Sequence, residues 1–202
     1  MSGGRAPADG RLLAGPVVGY VGLGSNVGDR LGALRAAVAA LGGPETAVEA
    51  ASPVYETEAH VRPGAPPQAD HLNAVVRVRS RLAPAAFLAE RAWPAERRAG
   101  RAPGAPPWSP RPLDVDVLVW GDLVVPGPGL SVGRGAGPDG RPAPPAAVVV
   151  PHPRLAERRF VLRPLADLAP DLVVPGLGAT VADLLARTAD AARVRRTGLA
   201  LG

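Results

Sequence analysis

Apolar and polar residues alternate along several stretches of the chain, and this alternation predicts β-strands. In "HLNAVVRVRSRL" (71–82), apolar and charged residues alternate from Ala74 onward, as in a half-buried strand. Strands are also predicted at "VVGYVGLGS" (17–25) and from Val48 to Thr57. A fourth run, "SPRPLDVDVLVWGD" (109–122), suits a buried strand but contains two carboxylates one residue apart.

Helical periodicity appears between these strands. Four apolar residues recur at helical spacing and predict a helix from about Leu31 to Leu41. Pro84 opens another helix, which Pro94 should kink or interrupt because it lacks an N–H donor. A short helical stretch is predicted over 158–172, and "TVAD" at Thr180 begins the last helix with a capping-box pattern. The alternation of helices and strands predicts a mixed-direction α+β layer rather than a doubly wound parallel sheet.

Glycine- and proline-rich segments mark the ends and loops of one predicted domain. Residues 1–15 are small and polar and predict a disordered lead, followed by a single domain over 16–202. Two Pro/Gly-rich stretches, 60–70 and 101–111, predict long loops, the first of them a candidate binding loop. A Gly/Pro-rich segment at about 126–145 predicts an insertion.

Composition excludes several functions. The chain has no cysteine, which excludes disulfides, thiolate catalysis and cysteine-based zinc sites. A formal net charge of +5 and a sequence pI near 11.0 permit polyanionic partners. The basic residues are scattered, however, and aromatic residues make up only 3% of the chain, so we expect no nucleic-acid binding.

The sequence predicts a cytoplasmic protein that does not enter the membrane. No run approaches the roughly 20 apolar residues of a membrane span. The first residues lack the longer apolar core of a secretory signal.

The two carboxylates of the fourth strand, Asp114 and Asp116, should project from one face because strand side chains alternate. The apolar residues on either side of each aspartate should then enter the core, namely Leu113, Val115 and Val117. Two like charges on one face repel unless cations lie between them, and Mg²⁺ prefers such oxygen ligands. The alternative is that both are ordinary surface charges. The adjacent Arg111 favours a site for metal and phosphate instead, because its guanidinium group can bind phosphate oxygens.

Three other groups of residues allow more than one interpretation. "GLGSNVGDR" (22–30) lacks the third glycine of a dinucleotide fingerprint and predicts a tight turn and helix cap. His152 lies among arginines that either neutralise a triphosphate or form a solvated surface turn, namely Arg154, Arg158 and Arg159. His71 and Asn73 either read a polar heterocycle or serve a structural role.

Taken in order, five segments resemble the successive signatures of 6-hydroxymethyl-7,8-dihydropterin pyrophosphokinase, a folate-pathway enzyme. They are "YVGLGSNVGDR", "SPVYETEA", "HLNAVV", "WSPRPLDVDVLVWGD" and "VPHPRLAERRFVLRPL". The resemblance extends from about Val17 to Val174, except for the predicted insertion. It implies a single ferredoxin-like α+β domain with a mixed or antiparallel sheet and helices packed on it. It also implies transfer of the β,γ-pyrophosphoryl group of ATP to the pterin hydroxymethyl, with release of AMP.

The resemblance further implies a role for individual residues. Asp114 and Asp116 would bind two Mg²⁺ ions, and Asp116, with Arg101 and Arg111, would be catalytic. ATP would be bound by Glu96, Arg101, Arg111, His152 and Arg158. The pterin would be bound by Thr57, His71, Asn73, Trp108 and Phe160. The implied partners are ATP and the pterin, and we expect a monomer, with a dimer as the alternative.

The chain departs from the family pattern at several positions. His71 stands where an aromatic residue is frequent, Pro112 replaces a threonine and Ser109 a glycine. Ala147 and Val149 stand where some members have polar ATP contacts. These departures leave two other functions to consider: a catalytically weak relative that binds nucleotide or pterin, and a basic α+β module that binds RNA.

Overall fold

The computed structural model of the chain describes residues 11–59, 67–102, 109–125 and 148–202. The strands in these ranges are β1 (Leu12–Ser25), β2 (Thr46–Ala51), β3 (Tyr55–Thr57), β4 (His71–Leu82), β5 (Asp114–Trp120), β6 (Val173–Val174), β7 (Ala179–Thr180) and β8 (Val194–Arg196). The helices are α1 (Arg30–Leu41), α2 (Pro84–Phe87), α3 (Trp93–Arg98), α4 (Arg159–Leu168) and α5 (Val181–Arg187). A π-helical turn over Leu88–Ala92 joins α2 to α3, and a 3-10 turn spans Leu155–Glu157.

The main sheet has the strand order β5-β1-β4-β3-β8, and β2 also pairs with β4. Every one of these strand pairs is antiparallel. One helix connects β1 to β2 and a helical stretch connects β4 to β5, so β5 returns to lie beside β1. This is the ferredoxin-like α+β arrangement that the resemblance implies. The short strands β6 and β7 form a separate two-stranded sheet.

Helices cover both faces of the main sheet and divide the core into two clusters. The first cluster joins α1 and the α2–α3 stretch to one face through residues such as Leu34 and Phe87. The second joins α4 and α5 to the other face through residues such as Leu162. Successive residues of β4 alternate between them, with Val76 in the first and Val75 in the second. This part of β4 is therefore buried on both faces, whereas the alternating arginines farther along are half-buried or exposed, namely Arg77, Arg79 and Arg81.

A β-bulge divides β5 into two parts. The register with β1 shifts between Tyr20 and Val21, which leaves Leu118 as an extra residue of β5. Trp120 consequently turns into the first cluster. A Cβ added at Gly19 would collide with the Trp120 ring, so this position requires glycine. The bulge thus lets β5 direct its carboxylates to one face and its tryptophan to the other.

The N-terminal boundary of the domain differs from the prediction. β1 begins at Leu12, so residues 12–15 belong to the sheet and not to a disordered lead. Several predicted features lie outside the described residues: the lead over 1–10, part of each long loop, Trp108, and the insertion.

The single strand predicted from Val48 to Thr57 is wrong, because the segment contains two strands, β2 and β3. Pro53 lies between them and has no N–H to donate to a sheet. The Ser52 hydroxyl instead accepts a hydrogen bond from the Val75 N–H at 3.0 Å. A side chain therefore takes over the pairing at the break between the strands.

The predicted helices are present, but α4 ends at Leu168 rather than at 172, because Pro170 disfavours a helical conformation at Ala169. The turn before Pro94 is π-helical, as expected where the proline removes a backbone donor. Thr180 and Asp183 form the capping box that "TVAD" predicts at the start of α5. No described helix combines the length and the apolar character needed to cross a lipid bilayer.

Candidate active site

A cavity of about 480 Å³ opens beside the second cluster, where β1, β3, β4 and β5 meet the segment 152–161. Most of the residues predicted to act in the site line it together: Thr57, His71, Asn73, Arg111, Asp114, Asp116, His152, Arg158 and Phe160. Glu96 and Arg101 are not among the lining residues. The fold therefore gathers side chains from both halves of the chain into one volume.

The alternation predicted for β5 is present in the structure. Val115 is fully buried and its neighbours Leu113 and Val117 are nearly so. The Asp114 and Asp116 side chains face the cavity and remain 21% and 31% exposed. Both carboxylates are thus available to ligands in the cavity.

Three arginines surround these two carboxylates. Arg101 Nη1 lies 2.6 Å from Asp114 Oδ1, and Arg111 Nη1 lies 2.5 Å from Asp114 Oδ2. Arg158 Nη1 lies 3.9 Å from Asp116 Oδ2. The negative charge of the pair is therefore balanced by guanidinium groups, which are also the preferred donors to phosphate oxygens.

Glu96 lies at α3, buried to 2% exposure, and holds part of this cluster in place. Its Oε1 accepts hydrogen bonds from the Val115 N–H at 2.8 Å and from Arg101 Nη1 at 3.2 Å. One of these donors is the residue after Asp114, and the other is an arginine that pairs with Asp114.

Two glycines of β1 lie directly across from the carboxylates. Gly22 pairs with Asp116 and Gly24 with Asp114. Both glycines line the cavity, where the missing side chains leave room beside the carboxylates. The predicted cap is confirmed at Asp29, which caps α1, and these two glycines lie in β1, within the strand predicted over 17–25. They are strand residues whose role depends on the neighbouring strand.

His152 presents a hydrogen-bond donor to the cavity. Its Nδ1 accepts a hydrogen bond from the Arg154 N–H at 3.1 Å, so in the neutral ring the proton lies on Nε2. Burial lowers the pKa of His152, and the negative charge of Asp116 opposes this effect. Burial also lowers the pKa of Arg158, which remains charged at neutral pH. Arg159 is exposed and lies outside the lining residues, in agreement with the solvated alternative.

The other end of the cavity carries polar groups suited to a heterocycle. Asn73 is 7% exposed, and its Nδ2 donates to Thr57 Oγ1 at 2.6 Å. His71 pairs with Thr57 across β3 and β4. Phe160 lies beneath Arg158, whose Cζ is 5.5 Å from the ring centroid. An amide, an imidazole and an aromatic face thus converge on one volume.

Sequence reasoning missed Asn26, which joins the two sides of the site. Asn26 is 4% exposed, and its Oδ1 accepts a hydrogen bond from the Arg111 N–H at 2.7 Å. Its Nδ2 donates to Gln68 Oε1 at 3.0 Å. The sequence feature that could have indicated this role is the position of Asn26, a polar residue directly after the predicted strand that ends in "GLGS".

The donor set fits magnesium. Mg²⁺ is usually held by one or two carboxylates, while water and substrate phosphates complete its octahedron. Asp114 and Asp116 supply two such carboxylates on one face of β5. Across the described ranges, no group of three or more His, Asp or Glu side chains could hold an ion by itself. The site therefore suits an ion that shares its ligands with a phosphate chain.

Comparison with known proteins identifies the family. The pattern of the family described as 7,8-dihydro-6-hydroxymethylpterin-pyrophosphokinase (HPPK) matches residues 20–170. A 2-amino-4-hydroxy-6-hydroxymethyldihydropteridine pyrophosphokinase from Synechocystis sp. is 35% identical over 168 residues, which cover 82% of this chain and 73% of that protein. A protein of the same name from Methylorubrum extorquens is 35% identical over 174 residues, which cover 83% of this chain and 91% of that protein.

Solved structures support the same fold. A crystal structure of HPPK-DHPS in complex with substrates superposes with a TM-score of 0.60 at 12% identity, covering 86% of this chain and 43% of that chain. A Plasmodium falciparum HPPK-DHPS triple mutant gives a TM-score of 0.61 at 14% identity, covering 85% of this chain and 44% of that chain. The chain spans less than half the length of these two structures, and the likeness shows the fold alone. By its sequence match over residues 20–170, the chain belongs to the HPPK family.

Proposed function

We propose that the chain transfers the β,γ-pyrophosphoryl group of ATP to 6-hydroxymethyl-7,8-dihydropterin, giving the pterin diphosphate and AMP in folate biosynthesis. Membership of the HPPK family supports this reaction. The main supporting observation is that one cavity contains both charged groups suited to phosphate and polar groups suited to a heterocycle. Carboxylates and arginines at one end suit a metal-bound phosphate chain, and the Asn73–Thr57 pair at the other suits a polar heterocycle.

The basic residues of the cavity bind the triphosphate. Arg111 and Arg158 offer guanidinium donors, and His152 offers its Nε2–H. Arg111 pairs with the carboxylate of Asp114 and, in this proposal, also donates to the phosphate oxygens of the nucleotide. Phosphoryl transfer needs positioning and charge stabilisation rather than a protein nucleophile, and these groups supply both.

The polar end binds the pterin. The Asn73 amide carries both a donor and an acceptor, which matches the alternating groups on the edge of a pterin ring. Phe160 offers an aromatic face to the same ring, and His71 also lines the cavity. Trp108, a further pterin-binding candidate, lies outside the described residues.

Asp114 and Asp116 hold two Mg²⁺ ions in this proposal. When bound, the ions neutralise the charge on the transferring group and align it with the acceptor. Asp116 is the more exposed of the two carboxylates and lines the cavity. It is therefore our candidate for accepting the proton of the hydroxymethyl group.

The coverage of the sheet disfavours the RNA-binding alternative. Modules of this fold that bind RNA stack bases on exposed aromatic residues of the sheet. In this chain Tyr20 is buried in the second cluster beneath α4 and α5, and Trp120 is buried in the first.

We also propose a cytoplasmic monomer, which sedimentation of the purified protein would distinguish from a dimer.

Detection of AMP by chromatography tests the reaction. The purified protein should convert ATP to AMP only when both Mg²⁺ and the hydroxymethyl pterin are present. Asp116→Ala should abolish this conversion and leave the circular dichroism spectrum unchanged. Asp122→Ala is the matched control, because Asp122 is an exposed carboxylate just beyond β5 and outside the cavity lining. Release of ADP without the pterin would overturn the assignment.

A further inference from the structure

Glu96 is a buried carboxylate next to the site but outside the cavity lining. Only 2% of its surface is exposed, although a carboxylate is rarely buried unless it is paired. Its Oε1 accepts two hydrogen bonds, one from a backbone N–H of β5 and one from Arg101. This oxygen therefore binds to β5, the strand that carries Asp114 and Asp116, and to an arginine beside it.

The backbone contact lies between the two carboxylates of the site. β5 is an edge strand, and every second N–H of an edge strand points away from the sheet. The Val115 N–H is one of these, and Glu96 Oε1 accepts it at 2.8 Å. Glu96 thereby takes the place of a neighbouring strand at the residue that separates Asp114 from Asp116.

The second contact holds Arg101, which pairs with Asp114. Arg101 Nη1 lies 3.2 Å from Glu96 Oε1 and 2.6 Å from Asp114 Oδ1, and it also approaches the Leu113 carbonyl at 3.4 Å. Glu96 therefore gives Arg101 an anchor that does not depend on Asp114. An arginine held in this way keeps its place when Asp114 binds another partner.

We propose that Glu96 is a positioning residue: it sets the geometry of the Asp114–Val115–Asp116 segment and holds Arg101 beside it, and it does not contact the nucleotide. The inference rests on the proposed function, because it assigns Asp114 and Asp116 to metal binding. Groups that orient metal ligands from behind affect metal affinity about 10- to 100-fold when they are replaced. The effect of Glu96 should therefore appear in the metal site rather than in nucleotide recognition.

Two substitutions at Glu96 separate these two hydrogen bonds. Glu96→Gln keeps an acceptor for the Val115 N–H but loses the charge that holds Arg101, whereas Glu96→Ala loses both. Glu90→Gln is the matched control, since Glu90 also pairs with an arginine, Arg11 at 2.7 Å, but lies away from the cavity. The measurements are hydrogen exchange of the Val115 amide, Mn²⁺ binding with a non-hydrolysable ATP analogue, and kcat and KM for ATP.

Both variants should lower Mn²⁺ affinity and kcat by about tenfold or more, and at saturating Mg²⁺ the KM for ATP should stay unchanged. Only Glu96→Ala should speed exchange of the Val115 amide, and Glu90→Gln should match the unaltered protein in each measurement. The proposal is overturned if Val115 exchange and Mn²⁺ affinity stay unaltered while KM for ATP rises, because Glu96 would then bind nucleotide. An unaltered protein that forms no AMP would refute the proposed function, whereas Val115 exchange and Mn²⁺ binding would still decide the role of Glu96.

Discussion

The side-chain oxygen of Asn73 lies against the bare Cα of Gly24, where an added Cβ would stand 2.8 Å from Asn73 Oδ1. Gly24 pairs with Asn73 on β4 and with Asp114 on β5. One glycine of β1 thus separates the end of the cavity proposed for the pterin from the end proposed for the metal. Its lack of a side chain gives both neighbours their room.

Gly24→Ala should weaken pterin binding. The new Cβ displaces Asn73 from its hydrogen bond with Thr57, and the loss of such a bond raises KM for the pterin about tenfold. Steady-state kinetics with the pterin as varied substrate measure this change. Gly15→Ala is the control, because this glycine of β1 has open space around it. An unchanged KM in Gly24→Ala would show that Asn73 does not read the pterin.

Asp114→Asn should reduce stability as well as activity. The carboxylate pairs with Arg101 and Arg111, and its loss leaves two guanidinium groups close together without their shared partner. We expect the free energy of unfolding to fall by about 1–2 kcal/mol, and kcat to fall at least about 100-fold. Urea denaturation and AMP formation measure the two effects, with the exposed Asp122→Asn as control. A variant more stable than the unaltered protein would contradict the inferred pairing.

Tyr55→Phe should uncouple β3 from α4. The Tyr55 hydroxyl donates to Asp167 Oδ2 at 2.6 Å and accepts from Arg163 Nε at 3.2 Å. Removing the hydroxyl takes a half-buried hydrogen bond from each partner, and the free energy of unfolding should fall by about 1–2 kcal/mol. Tyr20→Phe, at a second buried tyrosine, is the control. Equal urea midpoints for the two variants would contradict this role of Tyr55.

Glu56 should contribute stability that is lost in acid. The hydrogen bond from Arg195 lowers the pKa of Glu56 below its ordinary value of 4.5, with a further contribution from Arg30. Because the folded pKa is the lower one, the contribution is complete above about pH 4.5 and is lost as the pH falls through the folded value. Glu56→Gln should therefore be less stable than the unaltered protein at neutral pH, and the difference should shrink in acid.

Urea denaturation of both proteins between neutral pH and about pH 3 measures this difference. A difference in stability that stayed constant over the whole range would show that Glu56 acts through its shape and not through its charge.

The features predicted correctly depend on residues close together in the chain. The alternation of β5 sends Val115 into the core and Asp116 to the cavity, because strand side chains point to opposite faces. The capping box at Thr180 and the interruption before Pro94 follow from local hydrogen bonding. In each case the residues that determine the feature lie within a few positions of one another, so the sequence alone identifies them.

The features predicted wrongly or missed depend on register. Gly22 and Gly24 fall in the predicted strand over 17–25, but only the strand pairing reveals that Asp116 and Asp114 lie across from them. Nothing near Glu96 in the sequence indicates that its carboxylate accepts the Val115 N–H. These contacts are determined by strand pairing and helix packing, and neither can be predicted from the local periodicity of the sequence.

By itself, the sequence determined the periods of the strands and helices, the local caps and the order of the motifs, because each depends on short-range geometry. Tertiary structure alone decided that Asn26 holds the backbone of Arg111, which lies 85 residues away along the chain. It also decided that Arg101, Glu96 and Asp114 form one cluster. The physical reason is that the partners of a buried polar group are set by how distant segments pack, and packing is a property of the whole fold.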